Sequence, residues 1–155
     1  MAGGRIRKPN KTRTCSRLGE VLNTISELGM SPEVAINPDT DIATIEAAFS
    51  LVDRILVMTG NPSFAGQSLI PSTLDKVRTL RAMLDAKGLN KQIQVDGGIS
   101  TETAPLAAEA GADVFVATSA IFNHPQGPRA GLKALRYSLM TVLEEERKDR
   151  YNKGQ

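Results

Sequence analysis

The chain has 155 residues, is 41% hydrophobic and 23% charged, and carries a formal net charge of +2, values typical of one ordinary soluble domain. They exclude a membrane-spanning protein, because no stretch approaches the roughly 18 consecutive apolar residues of a span, and the N-terminus lacks the apolar core of a secretory signal. The single cysteine, Cys15, excludes an internal disulfide, so we expect a cytoplasmic protein.

Residues 1–17 are basic and contain no acidic residue. They hold Arg5, Arg7, Lys8, Lys11, Arg13 and Arg17. A basic arm can contact nucleic acid, but this one has neither aromatic residues for base stacking nor helical periodicity. We therefore interpret residues 1–17 as a flexible, solvated leader and expect no nucleic-acid partner.

From residue 18 onward, short β-branched runs alternate with longer stretches whose apolar residues recur every three or four positions. Strands are predicted at residues 34–37, 55–58, 93–96 and 114–117. Helices are predicted at residues 18–28, 42–52, 72–88, 100–110 and from 128 onward. Capping oxygens are expected from Asp39, Thr40 and Asp41 for the second helix, and Ser72 with Asp75 resembles a capping box for the third.

This alternation predicts an α/β fold of four βα units with parallel strands. We assign residues 18–143 to one unit and residues 144–155 to a charged helix end and tail. Parallel βα units bind their ligands at the carboxyl ends of the strands. The segments directly after each strand are therefore the candidate functional segments.

Three of those segments are rich in small residues: residues 59–67, 96–99 and 117–120. Small side chains let backbone N–H groups approach an anion closely, and the following helix adds its positive dipole end. Each segment alone could simply be a tight turn or a helix cap. Their joint position after the second, third and fourth strands favours a phosphate-binding cradle.

Asp96 closes the third predicted strand. A carboxylate there could serve as a general acid or base or as a metal ligand. It could equally be a capping residue for the next turn, and the residues alone leave both interpretations open.

These segments resemble those of the ribulose-phosphate 3-epimerase family. That family carries a strand and loop of the form VMTVNPGFGGQ, followed by FIPSTLEKIR, VDGGI and VAGSAIF. The counterparts here are LVMTGNPSFAGQ at 56–67, LIPSTLDK at 69–76, VDGGI at 95–99 and VATSAIF at 116–122, and AINP at 35–38 also matches. The resemblance covers about residues 18–136. Residues 64–67 and 112–115 are also similar to the loops of allulose-6-phosphate 3-epimerases.

The resemblance implies that the four βα units form the C-terminal half of a ribulose-phosphate-binding (β/α)8 TIM barrel. It implies interconversion of ribulose 5-phosphate and xylulose 5-phosphate by metal-assisted two-base proton transfer at C3. Asp96 matches one catalytic acid/base, which is also a ligand of the divalent metal ion (Zn, Fe or Mn). Substrate-binding positions are Met58 at the enediolate and, around the phosphate, Ser63, Phe64, Ala65, Gly66, Gly97, Gly98, Thr118 and Ser119.

The sequence also departs from the family. The other catalytic Asp and the remaining metal ligands come from early strands that are absent here, and a barrel needs about 200 residues or more. We therefore expect a truncated chain that is incomplete alone and is completed by a homo-oligomer or by a complementing N-terminal half. Ser63, Ala65 and Thr118 replace glycines, which would strain any position with positive φ. A non-catalytic sugar-phosphate-binding remnant stays open as an alternative.

Overall fold

The structure is a computed structural model that describes residues 17–60 and 68–153. Most of the predicted basic leader and the loop residues 61–67 lie outside the described residues. Within them, the elements are α1 (Leu18–Glu27), β1 (Glu33–Ile36), a 3₁₀-helix (Ile42–Ala48), β2 (Arg54–Met58), α2 (Ser72–Ala86), β3 (Gln92–Asp96), α3 (Thr103–Glu109), β4 (Val114–Val116), α4 (Ser119–Phe122) and α5 (Pro128–Lys153). The predicted α/β class of alternating strands and helices is confirmed.

The four strands form one parallel sheet in the order β1-β2-β3-β4. Consecutive strands are therefore neighbours, as they are in a (β/α)8 barrel, and their carboxyl ends share one edge of the sheet. In this register Met58 lies opposite Asp96, and Asp96 lies opposite Val116. The structure thus has the arrangement expected of half a barrel.

The two faces of the sheet differ in burial because successive side chains of a strand point to opposite faces. On one face, Ile55, Val57, Ile93 and Val95 are fully buried in the hydrophobic core. The other face is partly open. We call it the inner face; it carries Glu33, Ala35, Arg54, Leu56, Met58, Gln92, Gln94, Asp96, Val114 and Val116.

Local helix signals had mixed outcomes. Asp41 caps the 3₁₀-helix, and its carboxylate accepts the N–H of Ala43 at 3.0 Å. The predicted capping box at Ser72 is wrong. Pro71 occupies the N-cap of α2 with helical φ and ψ angles of −56° and −37°, and Asp75 instead pairs with Arg78 at 2.7 Å. A proline whose φ is already helical starts the helix without a side-chain cap.

The structure differs from the predicted helices in two places: one helix is of another type, and one was not predicted. The segment after Asp41 is a short 3₁₀-helix, and α4 is a single turn with too few residues to give a periodic pattern. The last helix is confirmed; α5 packs against α3 and α4. Among the helices of the described segments, each falls short of what crossing a bilayer would require.

Candidate functional site

A cavity of about 420 Å³ opens at the carboxyl edge of the sheet. It is lined by Ser68, Leu69, Pro71, Leu74, Gly98, Ile99, Ser100, Thr103, Leu106 and Ser119. The structure therefore brings together Gly98, which follows β3, and Ser119, which follows β4. A larger cavity of about 670 Å³ runs along α5 and the loop before it, but it includes no residue from the end of a strand. The smaller cavity is thus the one at the position where βα folds bind ligands.

The turn at one wall of this cavity requires two glycines. Gly97 and Gly98 have φ angles of +125° and +66°, in the left-handed region that disfavours other residues. A Cβ on Gly97 would clash with the backbone nitrogen of Gly60, and a Cβ on Gly98 would clash with that of Leu69. The turn therefore lies directly against the two chain segments that enter and leave the loop after β2.

Thr59 joins the ends of β2 and β3. It is fully buried, its N–H donates to the Asp96 carbonyl at 2.7 Å, and its hydroxyl donates to the Gly97 carbonyl at 2.6 Å. Its own carbonyl accepts the N–H of Ile70 at 2.8 Å, so Thr59 also closes the base of the loop that contains residues 61–67.

Hydroxyl groups hold the other side of the same turn. Thr103 donates to the Gly98 carbonyl at 2.7 Å, and its oxygen accepts the N–H of Ser100 at 2.8 Å. Ser100 donates to the Glu102 carboxylate at 2.5 Å. This bond, followed by those from the backbone N–H of Glu102 and from Thr101, lowers the pKa of the exposed Glu102 below its ordinary value.

Asp96 and Met58 are the last residues of β3 and β2 and are neighbours on the inner face. Both side chains are half-buried. The carboxylate of Asp96 has no hydrogen-bond or ion-pair partner within residues 17–60 and 68–153.

The described residues do not fit the predicted metal site by themselves. In residues 17–60 and 68–153, no group of three or more His, Cys, Asp or Glu side chains could hold a metal ion. Asp96 could supply one carboxylate ligand, whereas catalytic zinc sites use about three protein ligands. Further ligands would have to come from outside the described residues.

Other predicted substrate positions are placed as follows. Thr118 precedes α4 with a φ of −109°, outside the left-handed region, so a side chain in place of a glycine carries no backbone strain there. Ser119 is the first residue of α4. The predicted phosphate contacts Ser63, Phe64, Ala65 and Gly66 lie outside the described residues.

The sequence interpretation missed Lys76, which fixes the loop after β1 at the same edge. Its ammonium group donates to the carbonyls of Asn37 at 3.1 Å, Pro38 at 2.7 Å and Thr40 at 2.5 Å. Burial lowers the pKa of Lys76, and the charges of two nearby aspartates oppose that shift. A lysine on a helix surface gives no sequence signal for this role, since the carbonyls lie in a distant turn.

Comparison with known proteins agrees with these motifs. The protein-family model described as "Ribulose-phosphate 3 epimerase family" matches residues 11–122 of the chain. The chain belongs to this family. It is 43% identical to the ribulose-phosphate 3-epimerase of Methanocaldococcus jannaschii over 126 residues, which are 81% of this chain and 53% of that protein.

Two bacterial members of the ribulose-phosphate 3-epimerase family give the same result. The Bacillus subtilis enzyme is 41% identical over 117 residues, or 75% of this chain and 54% of the relative. The Escherichia coli K12 enzyme is 42% identical over 124 residues, which are 80% of this chain and 55% of the relative. The chain thus spans about half the length of the curated relatives that it matches.

A solved structure supports the fold of this epimerase-family chain. The 3-hexulose-6-phosphate synthase from Salmonella typhimurium is similar with a TM-score of 0.60 at 22% identity, over 83% of this chain and 60% of that one. At this identity the likeness establishes the TIM-barrel type of fold.

Proposed function

We propose that this chain supplies the C-terminal half of a ribulose-phosphate 3-epimerase barrel and binds the phosphate of a ketose phosphate of the ribulose 5-phosphate class. One observation carries the proposal: the Gly97-Gly98 turn directly follows Asp96, and Gly98 and Ser119 line one cavity of about 420 Å³ at the carboxyl edge of the sheet. Besides five apolar residues, the cavity is lined by Gly98 and by the hydroxyl-bearing residues Ser68, Ser100, Thr103 and Ser119, and such small or hydroxyl-bearing residues suit a phosphate. A carboxylate beside it suits proton transfer on the attached sugar.

In the proposed reaction, Asp96 is one of two acid/base groups. Its carboxylate takes the C3 proton from one face of the ketose, and an enediolate results. Return of a proton to the opposite face inverts C3 and yields the epimer, so a second group must act on that face. Met58, which neighbours Asp96 on the inner face, would pack against the enediolate.

The proposal includes a second half that closes the barrel, either another copy of the chain or a complementing N-terminal half. Two features support it: the inner face leaves Leu56 and Met58 half-exposed, and β1 and β4 are the outer strands of the described sheet. Open strand edges pair readily with other chains. Analytical ultracentrifugation of the purified chain tests this part, since a cooperatively folding monomer at all concentrations would exclude closure by a second copy.

Proton exchange at C3 of ribulose 5-phosphate tests the catalytic part. The chain is incubated with the substrate in deuterated buffer with added Zn, Fe or Mn, and deuterium at C3 is followed by NMR. Exchange that disappears in Asp96→Asn supports the proposed role of the carboxylate. Exchange that persists in Asp96→Asn excludes it.

A second candidate is a non-catalytic remnant that binds sugar phosphates, and a further alternative is a protein like the allulose-6-phosphate 3-epimerases, with allulose 6-phosphate in place of ribulose 5-phosphate. In the described segments Asp96 belongs to no cluster of side chains that could hold a metal ion, and this favours the non-catalytic remnant. Calorimetry separates the candidates. Binding of either sugar phosphate without C3 exchange supports the non-catalytic protein, and absence of binding contradicts both.

A further inference from the structure

Two threonine hydroxyls hydrogen-bond to two consecutive carbonyls of the turn after β3. Thr59 donates to the Gly97 carbonyl at 2.6 Å, and Thr103 donates to the Gly98 carbonyl at 2.7 Å. Thr59 directly follows β2, whereas Thr103 is the first residue of α3. The turn is therefore held from two sides by side chains that belong to different elements.

Fixing these carbonyls also fixes the N–H groups that follow them. The N–H and C=O of a trans peptide point in opposite directions, and the described residues contain no cis peptide. The N–H of Gly98 therefore points away from Thr59, and the N–H of Ile99 points away from Thr103. Neither N–H donates to an acceptor within residues 17–60 and 68–153, and both Gly98 and Ile99 line the cavity of about 420 Å³.

We propose that Thr59 and Thr103 are positioning residues that orient the N–H groups of Gly98 and Ile99 toward the substrate phosphate. This inference rests on the proposed function for the identity of the anion. The backbone and its close neighbours require glycine at 97 and 98, but glycine leaves the peptide planes free to rotate. The two hydroxyls remove that freedom, so the donors are oriented before the anion arrives and binding does not have to order them.

Valine and serine substitutions distinguish the contribution of the hydroxyl of each threonine from that of its methyl group. Thr59→Val and Thr103→Val keep the shape and lose the donor, whereas Thr59→Ser and Thr103→Ser keep the donor. In calorimetric titrations of the full chain with ribulose 5-phosphate, each valine variant should bind about 3- to 10-fold more weakly, the effect of one lost hydrogen bond. The serine variants should bind as the unsubstituted chain does.

Thr40→Val is the matched control. Thr40 is also buried, and its hydroxyl accepts the N–H of Asn37 at 3.1 Å, in a different turn. This variant should keep its affinity for ribulose 5-phosphate. If valine at 59 and 103 preserves affinity while serine lowers it, the threonines act by packing and the inference is wrong.

A second measurement needs no ligand. The backbone amide resonances of Gly98 and Ile99 should move in Thr59→Val and Thr103→Val and stay in place in Thr40→Val. Unchanged resonances in both valine variants overturn the inference, whether or not the chain binds phosphate. If the resonances move but the unsubstituted chain binds neither ribulose 5-phosphate nor inorganic phosphate, the proposed function fails and the phosphate role of the turn fails with it. Thr103 is only half-buried, so its variants keep the test valid should those of the fully buried Thr59 not fold.

Discussion

The two ends of the inner face place charge in opposite ways. At the amino end of the strands, the Arg54 guanidinium donates to Gln92 at 3.1 and 3.2 Å and to Gln94 at 3.1 Å, and it lies 3.9 Å from the Glu33 carboxylate. At the carboxyl end, the Asp96 carboxylate has no partner in the described segments. A charge with several protein partners stabilises a fold, whereas a charge without them is available to a ligand. We therefore predict that the amino end of the inner face stabilises the fold and that the carboxyl end binds the ligand.

The largest effect is expected at the turn beside Asp96. Gly98→Ala should lower the free energy of unfolding by about 2 kcal/mol or more, because it combines a left-handed φ with a backbone clash at Leu69. Gly29→Ala is the control: Gly29 has a φ of +74° but no atom within 4 Å of the added Cβ, so it should cost only about 1 kcal/mol. Urea denaturation gives the free energy of unfolding of both variants. Equal losses would show that the close contact at Gly98 does not constrain the turn.

Arg54→Met tests the structural end of the comparison. Loss of its hydrogen bonds to two glutamines should lower the free energy of unfolding by about 1 kcal/mol, since the guanidinium is partly exposed. Affinity for ribulose 5-phosphate should not change. A variant with unchanged stability and weaker binding would reverse the assignment of the two ends.

Asp96→Asn tests the chemical end and should change stability least among the three substitutions. The carboxylate has no partner to lose within the described residues, so the free energy of unfolding from urea titrations should stay within about 0.5 kcal/mol of that of the unsubstituted chain. Any C3 proton exchange should disappear. A large loss of stability would mean that Asp96 serves the fold.

The smallest effect concerns pH. The pKa of Glu102 is lowered from 4.5 in the folded state, so the unfolded chain binds the proton more readily. Its contribution to stability is therefore present above pH 4.5 and is lost as the pH falls through the folded-state pKa. Glu102→Gln should show a shallower decrease of Tm below pH 4.5 than the unsubstituted chain, as followed by circular dichroism. If Tm decreases equally steeply with falling pH in Glu102→Gln and in the unsubstituted chain, Glu102 makes no such contribution.

Periodicity predicted most of the fold, because alternation and three-to-four spacing report which face of each element is buried. The strand predicted at 34–37 is Glu33–Ile36, and the one predicted at 93–96 is Gln92–Asp96. The Ser72 capping box failed because Pro71 already adopts helical angles, which a three-residue spacing cannot reveal. Local patterns are reliable where burial decides the structure and weaker where backbone angles decide it.

The candidate site was less predictable. Position after a strand was enough to single out Asp96, Gly98 and Ser119, since parallel strands end at one edge. The bond from Thr59 to the Gly97 carbonyl spans 38 residues and depends on the register of β2 against β3, which no local pattern encodes. The roles of Asp96 and of the predicted phosphate contacts stay predictions until binding and exchange are measured.

The Lys76 side chain has a consequence for biosynthesis. Its ammonium group holds carbonyls of residues 37–40, so the Thr40 carbonyl pairs with a lysine made 36 residues later. As the ribosome extends the chain, the Pro38 and Thr40 carbonyls lack the Lys76 donor until the middle of α2 has emerged. Ordering of the turn after β1 therefore depends on formation of α2. A pause in translation before Lys76 would leave that turn without these hydrogen bonds.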